Sequence, residues 1–144
     1  SQRTGIDNHQ DAELTASIVA WSKKLSQQFP SARRRTEASA GYNCHGLTFA
    51  SRRAWVYRGR DLQRILADDQ YAKVELPNVL AGDIVIYRAD DGDFNHSGVV
   101  VAAGGDLVVP IVCSKWAHAG EYIHALGDCP SVYGPHTTFY RCVR

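Results

Sequence analysis

The spacing of apolar residues changes near the middle of this chain, and that change limits the folds it can adopt. In the first part, five apolar residues recur at helical intervals and share one helix face: Leu14, Ile18, Trp21, Leu25 and Phe29. Asp11 fits an N-cap, and Pro30 stops a helix. We therefore predict a helix from about Asp11 to Phe29, followed by a polar loop over residues 31–40.

Two shorter helices are predicted to follow this loop. Asn43 is a strong N-cap residue, because its side chain accepts hydrogen bonds from the free N–H groups of a first helical turn. A second helix is therefore expected from Asn43 to about Tyr57, and a short third helix from Asp61 to Asp69.

Beyond these helices the pattern becomes typical of β-strands. Five segments are rich in β-branched and aromatic residues, and Gly104-Gly105 marks a turn between two of them. The predicted strands cover residues 84–87, 97–102, 107–116, 122–126 and 137–143. Helices that precede strands indicate an α+β domain with an antiparallel sheet of about five strands.

Composition narrows the class of protein. The 144 residues fit one domain, 1–144, and the formal charge of +1 gives no global electrostatic reason to expect a nucleic-acid partner. No run of about 18 apolar residues is present, so we expect no membrane span. Residues 1–10 are polar and expected to be flexible, and the absence of Met leads us to expect a domain excised from a longer chain.

Cys44 lies in the first turn of the second predicted helix, within the segment Gly-Tyr-Asn-Cys-His-Gly-Leu-Thr at 41–48. A helix N-terminus or a nearby imidazolium lowers the pKa of a thiol, and free backbone N–H groups stabilise the oxyanion that forms when a thiolate attacks a carbonyl. A buried cysteine that acts as a small apolar residue is the alternative. The Gly, Asn and His residues around Cys44 favour the nucleophile.

His96 lies at the mouth of an apolar strand, within Asn-His-Ser-Gly-Val-Val-Val at 95–101 and after Gly-Asp-Ile-Val-Ile-Tyr at 82–87. A neutral imidazole held at a strand end can take the proton of a thiol and return it to a leaving group. The alternative is a half-exposed histidine at the end of a strand, without a chemical role.

Three segments together resemble a known family. Residues 43–47, Asn-Cys-His-Gly-Leu, resemble the Asp-Cys-Ser-Gly-Leu signature of the NlpC-type cell-wall cysteine peptidases. Residues 82–85 and 96–100 resemble their Gly-Asp-Leu-Val and His-Val-Gly-Ile-Tyr stretches, and the three segments occur in the same order. The resemblance covers roughly residues 40–125.

This resemblance implies a papain-like fold of the α+β class, in which N-terminal helices include one that carries the nucleophile and packs on the sheet that carries the His. It also implies amide hydrolysis, with Cys44 as nucleophile and His96 as base, usually on peptidoglycan or another peptide-like substrate. A bacterial, secreted or periplasmic location follows. The lack of a native start and the single domain also favour the enzymatic domain of a secreted antibacterial toxin, which would have an immunity protein as partner. Neither a cofactor nor a metal is expected.

The chain departs from the family at the residue that orients the His. That polar residue normally follows the His by about a dozen positions, where this chain has Leu107-Val108-Val109. The polar candidates come later, at Cys113, Ser114 and His124. We favour Ser114, which strand alternation places on the same face as Trp116, whereas Cys113 would lie opposite His96 across a tight hairpin. This residue fixes the orientation of the ring and does not carry the proton.

Four further residues are expected near the substrate or the oxyanion. They are Tyr42, Asn43, His45 and Trp116. Tyr42 precedes the helix and is a candidate donor to the oxyanion. His45 directly follows the nucleophile and points about 100° away from it, so it lines a subsite or is exposed.

Several alternatives remain open from the sequence. The same residues would serve an acyltransferase or a deamidase. A zinc-binding interaction module would use Cys44, His45, His96 and Cys113. The apolar stretch at 107–109 is compatible with a papain-like binding domain without activity. A disulfide between Cys129 and Cys142 would suit an exported protein, and the spacing leaves it undecided.

Overall fold

An antiparallel sheet of seven strands forms the centre of the computed structural model, which describes residues 8–9, 16–39, 41–49, 55–56 and 59–143. Side chains are described within 16–39, 41–49 and 62–143. The strands, numbered along the chain, are β1 (Asn8–His9), β2 (Arg33–Arg34), β3 (Trp55–Val56), β4 (Tyr71–Val74), β5 (Ile84–Arg88), β6 (Phe94–Ala102), β7 (Ile111–Lys115), β8 (Glu121–Ala125) and β9 (His136–Cys142).

The described α-helices are short. They are α1 (Ala16–Gln28), α2 (Cys44–Phe49) and α3 (Gly59–Asp68), and two 3-10 turns lie at Leu76–Asn78 and Ser131–Tyr133. The order of strands in the large sheet is β2-β8-β7-β6-β5-β9-β4, and β1 pairs with β3 in a separate ribbon. All described strand pairs are antiparallel.

The two faces of the sheet carry different clusters, because successive side chains of a strand point to opposite sides. On the first face, which we name the α1 face, Leu25 of α1 joins a cluster that includes Val85, Val112 and, directly after β7, Trp116. On the opposite face, the α2 face, Leu47 of α2 and Tyr42 pack against Cys113 of β7 and Ile123 of β8. Burial of both faces explains why β5 is apolar at successive positions.

The Gly82-Asp83 pair opens strand β5 and connects it to β9. Asp83 accepts two hydrogen bonds from Arg141, at 2.7 and 2.8 Å, and a third from the backbone N–H of Leu80 at 2.8 Å. The Arg141 guanidinium holds the pKa of Asp83 below its usual range. Gly82 has φ of +95°, which a side chain would strain. This motif therefore has a structural role here.

The predicted fold class is wrong in its architecture. The prediction was a papain-like α+β domain with N-terminal helices and a sheet of about five strands, whereas the described residues form mainly an antiparallel sheet of seven strands with few helices. The five predicted strands are present as β5 to β9, with β7 shortened to Ile111–Lys115. The additional strands β2 and β4 occupy the edges of the sheet. Edge strands are short and polar, so they lack the apolar alternation that predicts a strand.

The helix predictions also need correction. The second helix ends at Phe49 instead of about Tyr57, and Trp55–Val56 is a strand that pairs with Asn8–His9. The first helix is described from Ala16 to Gln28, and the third begins two residues before the predicted Asp61. The predicted N-cap Asp11, the face residue Leu14 and most of the predicted flexible segment 1–10 lie outside the described residues.

Candidate active site

Cys44 is the first residue of α2, and the residue before it caps the helix. Asn43 Oδ1 accepts a hydrogen bond of 2.8 Å from the backbone N–H of Gly46, which confirms the predicted N-cap. The backbone N–H of Leu47 donates to the Asn43 carbonyl oxygen at 2.9 Å, the first bond within the helix. Asn43 thereby sets the direction in which α2 leaves the preceding loop.

The Cys44 thiol is buried, and backbone N–H groups face it. The donors are the N–H groups of Ser97, His45 and Cys44 itself, and each favours the thiolate. Burial opposes them more strongly and raises the pKa of Cys44 to about 11. The thiol is therefore protonated at neutral pH, the reverse of the lowered pKa that the helix start suggested.

His96 is completely buried in β6. Among the described residues, neither Nδ1 nor Nε2 of its ring has a hydrogen-bond partner. Burial, together with nearby His45 and His124, lowers the pKa of His96 well below its ordinary value, so the ring is neutral at neutral pH. Aromatic rings hold it in place: Tyr133 is stacked on it with centroids 3.6 Å apart, and the Tyr87 centroid lies at 5.1 Å.

The side chains of Cys44 and His96 lie on different faces of the sheet. His96 pairs directly with Tyr87, a member of the cluster on the α1 face, whereas the side chain of the next residue, Ser97, contacts His45 and Thr48 of α2. The backbone N–H of Ser97 favours the Cys44 thiolate, while the His96 ring stacks on Tyr133. The described pairing of β6 with β7 starts only at Val99 and Cys113, beyond this point.

The three candidates for the orienting residue make other contacts. Ser114 Oγ lies 2.7 Å from His124 Nε2 and accepts a hydrogen bond of 3.1 Å from Trp116 Nε1. His124 Nδ1 lies 2.7 Å from the Ala125 carbonyl oxygen, which can only accept, so Nδ1 carries the proton and Nε2 accepts from Ser114. Cys113 faces α2 and pairs in register with Val99, not with His96. The structure therefore brings none of the three into a hydrogen bond with His96.

The four residues expected near substrate or oxyanion lie in different surroundings. Tyr42 donates from its hydroxyl to Glu121 Oε2 at 2.5 Å, and Asn43 caps α2. His45 is buried, with Nδ1 at 2.7 Å from Ser97 Oγ. Trp116 belongs to the core of the α1 face, where its ring stacks on Tyr122 with centroids 3.9 Å apart.

Sequence reasoning did not assign a role to Tyr87, Tyr133, Lys115 or Glu121. Lys115, Glu121 and Tyr133 lie in a stretch, residues 113–134, that is dense in aromatic and polar residues, and this density was the available signal. The burial of Lys115 and Glu121 was not expected, because Lys and Glu are rarely buried completely.

No group of three or more His, Cys, Asp or Glu side chains in the described parts of the chain is arranged to hold a metal ion. The donor set named for a zinc module is therefore not assembled there. All four cysteines are free thiols, with Cys129 buried and Cys142 exposed.

A cavity of about 470 Å³ lies beside the His96 environment. Its walls include Tyr87, Leu126, Cys129, Pro130, Ser131 and Pro135. Tyr87 is shared, because its ring faces His96 and also lines the cavity. This size and apolar lining are typical of pockets that bind small organic groups.

Comparisons with protein-family models, with curated proteins and with solved structures each return no match. Within the described ranges, no helix combines the length and the apolar character needed to cross a bilayer.

Proposed function

We propose that this chain is a cysteine hydrolase of amide bonds, with Cys44 as nucleophile and His96 as general base. The observation that carries the proposal is the position of Cys44 at the start of the capped helix α2, where backbone N–H groups favour the thiolate. The assignment of His96 as base is supported by the resemblance of residues 96–100 to the family's His strand. His96 is buried, and its ring nitrogens have no hydrogen-bond partner in the described part of the chain.

The acylation step begins with both groups neutral. His96 is neutral because its pKa is lowered well below the ordinary value, and Cys44 is protonated because its pKa is about 11. His96 takes the thiol proton as the sulfur attacks the substrate carbonyl carbon. The N–H groups of Cys44 and His45, which face the sulfur, are the candidate donors to the oxyanion.

The second half of the reaction returns the site to its starting state. The His96 imidazolium gives its proton to the leaving amine, and the C–N bond breaks to leave a thioester on Cys44. Water then attacks the thioester while His96 takes its proton. The products are a carboxylic acid and the free thiol.

Peptidoglycan is the substrate that we propose, and its support is the resemblance of residues 43–47, 82–85 and 96–100 to the cell-wall cysteine peptidases. The same resemblance supports a secreted or periplasmic bacterial protein. A secreted antibacterial toxin, with an immunity protein as partner, is the narrower form of this proposal. The cavity beside Tyr87 is where we place an apolar part of the substrate.

The test is digestion of purified peptidoglycan, with the products separated and identified by mass. Wild type is compared with Cys44→Ala and His96→Ala, and Cys142→Ser is the matched control because that cysteine is exposed. Fragments from wild type and the control alone are expected, and their masses identify the bond. Equal fragments from Cys44→Ala would refute the thiol mechanism, and no fragments from wild type would refute peptidoglycan as substrate.

A binding domain without activity is the second candidate, and the raised pKa of Cys44 favours it. A protonated thiol is a weak nucleophile unless a base acts on it. Wild type and Cys44→Ala would then both sediment with insoluble peptidoglycan, and neither would release fragments from it.

A further inference from the structure

Two ionisable side chains on the α2 face, Lys115 and Glu121, are completely buried. They are directly paired in register across strands β7 and β8. Burial of charged groups costs several kcal/mol per ion unless hydrogen bonds and opposite charges compensate it. The contacts of Lys115 and Glu121 therefore indicate which role their burial has.

Lys115 contacts the segment that leads into Cys44. Its Nζ donates to the Ser39 carbonyl oxygen at 2.7 Å and to the Ala117 carbonyl oxygen. It also lies 4.7 Å from the centroid of the Tyr42 ring, a distance at which a cation is attracted to the ring face. The ammonium thus connects β7 to residues five and two positions before the nucleophile.

Glu121 fixes the other end of Tyr42. Its Oε2 accepts the Tyr42 hydroxyl proton at 2.5 Å, and its Oε1 lies 3.5 Å from Arg35 Nη1 and 3.8 Å from the Cys113 sulfur. The Tyr42 side chain is therefore held between a cation at its ring face and an acceptor at its hydroxyl.

We propose that Lys115 is a positioning residue for Cys44: its buried ammonium anchors Ser39 and Tyr42 and supplies the positive charge that favours the Cys44 thiolate. This inference rests on the proposed function, because it assigns Lys115 a part in activating that nucleophile. It is a role for a residue outside the Cys44–His96 pair.

Several titratable or charged groups face Cys44 or its neighbours from the surrounding elements. They are His45 on α2, His96 on β6, Cys113 and Lys115 on β7, Glu121 on β8, Arg35 after β2, and Tyr133 in its 3-10 turn. Lys115 is the cation whose charge acts directly on the Cys44 thiol, and it lowers the pKa of that thiol. Burial in turn lowers the pKa of Lys115 to about 8. Its charge is present below that pH and lost above it.

The experiment measures the rate at which iodoacetamide alkylates Cys44, read by peptide mass spectrometry across a range of pH. The background is Cys142→Ser, which removes the exposed thiol. Wild type is compared with Lys115→Met, which removes the charge, and Lys115→Arg, which retains it. Below the Lys115 pKa of about 8, we expect Lys115→Met to react about tenfold more slowly, the effect of one pKa unit on the thiolate fraction. Well above that pKa, the rates of wild type and Lys115→Met should converge. Lys115→Arg should match wild type below it and remain faster above it, because the guanidinium keeps its charge.

A purely structural role would slow alkylation by the same factor at every pH. Such a constant factor would overturn the inference. Equal rates in wild type and Lys115→Met below the Lys115 pKa would also overturn it, and so would the absence of any reaction in both proteins. If Lys115→Met does not fold, Lys115→Gln takes its place, since it keeps a donor for the Ser39 carbonyl. Failure of this inference can be distinguished from failure of the proposed function. Digestion of peptidoglycan by wild type and Cys44→Ala tests the proposed function alone, because it does not depend on Lys115.

Discussion

The imidazole of His96 lies parallel to the phenol ring of Tyr133, with the centroids 3.6 Å apart and 2° between the planes. No described side chain hydrogen-bonds the His96 ring, so this stack and the Tyr87 ring orient it. Stacking fixes the ring plane and leaves both nitrogens free to exchange protons. In the proposed hydrolase, Tyr133 therefore does what a third polar residue does elsewhere.

Replacement of Tyr133 tests this role. Tyr133→Leu removes the aromatic face, so we expect kcat for amide hydrolysis to fall about tenfold through poorer orientation of His96. Tyr133→Phe keeps the ring, and kcat should stay close to that of wild type. Steady-state kinetics on one substrate provides the comparison. Equal losses in both variants would indicate that the hydroxyl, not the stack, matters.

Acid should destabilise the protein through its buried histidines. Burial lowers the pKa of His45 to about 4 from 6.5, and it lowers those of His96 and His124. Between pH 6.5 and about 4, the unfolded chain binds more protons than the folded chain does. The free energy of unfolding therefore falls as the pH falls through this range. His45 alone should contribute about 3 kcal/mol to that loss. Urea unfolding across this range, with His45→Gln as the comparison, measures it, and a flat profile in wild type would contradict the assignment.

The Asp83–Arg141 pair should contribute more to stability than the exposed pair of Asp90 and His136. Asp83 is buried and accepts the Arg141 bonds at 2.7 and 2.8 Å, whereas Asp90 is exposed. Asp83→Asn should lower the melting temperature by about 5 °C, since a charge-assisted hydrogen-bond network is lost. Asp90→Asn is the matched control and should leave it unchanged. Calorimetry of both variants distinguishes them, and similar shifts would argue against the structural role of Asp83.

Gly98, two residues after His96, should not tolerate a side chain. A Cβ there would lie 2.6 Å from Val112 Cγ1 and 2.9 Å from the Cys113 carbonyl oxygen. Gly98→Ala is therefore expected to cost about 2 kcal/mol of unfolding free energy through overpacking. Gly127→Ala, which has open space around the added carbon, should cost little. Chemical denaturation of the two variants provides the measurement, and equal stability would show that β6 and β7 can separate at this position.

Filling the cavity beside Tyr87 should affect substrate binding without affecting Cys44. Ser131 lines the cavity and is exposed, so Ser131→Trp places an indole in its space. We expect KM to rise about tenfold with unchanged alkylation of Cys44, while Ser131→Ala behaves as wild type. An unchanged KM in Ser131→Trp would place the substrate elsewhere.

Features that depend on neighbours in the chain were predictable. The Asn43 cap joins residues three positions apart, so the residue types reveal it. Strands β5 and β6 carry β-branched residues over several positions, and their approximate positions were predicted for that reason. The order of helices and later strands also followed from periodicity.

Other features were decided by contacts between distant parts of the chain. Strands β2 and β4 exist because β8 and β9 offer free edges, which their own polar residues do not indicate. Ser114 bonds His124 instead of His96 because β7 pairs with β8 along its whole length and with β6 only from Val99 onward. The pattern of residues along the chain could not predict which histidine, His96 or His124, would bond to Ser114.

The electrostatic state of the site depends on tertiary structure in the same way. The sequence by itself determined that a cysteine would begin a capped helix and that a histidine would lie in an apolar strand. Only tertiary structure placed the side chains of Cys44 and His96 on different faces of the sheet and buried the Cys44 thiol enough to raise its pKa to about 11. The physical reason is that capping and periodicity act over a few residues, whereas desolvation and charge depend on every element packed around a group.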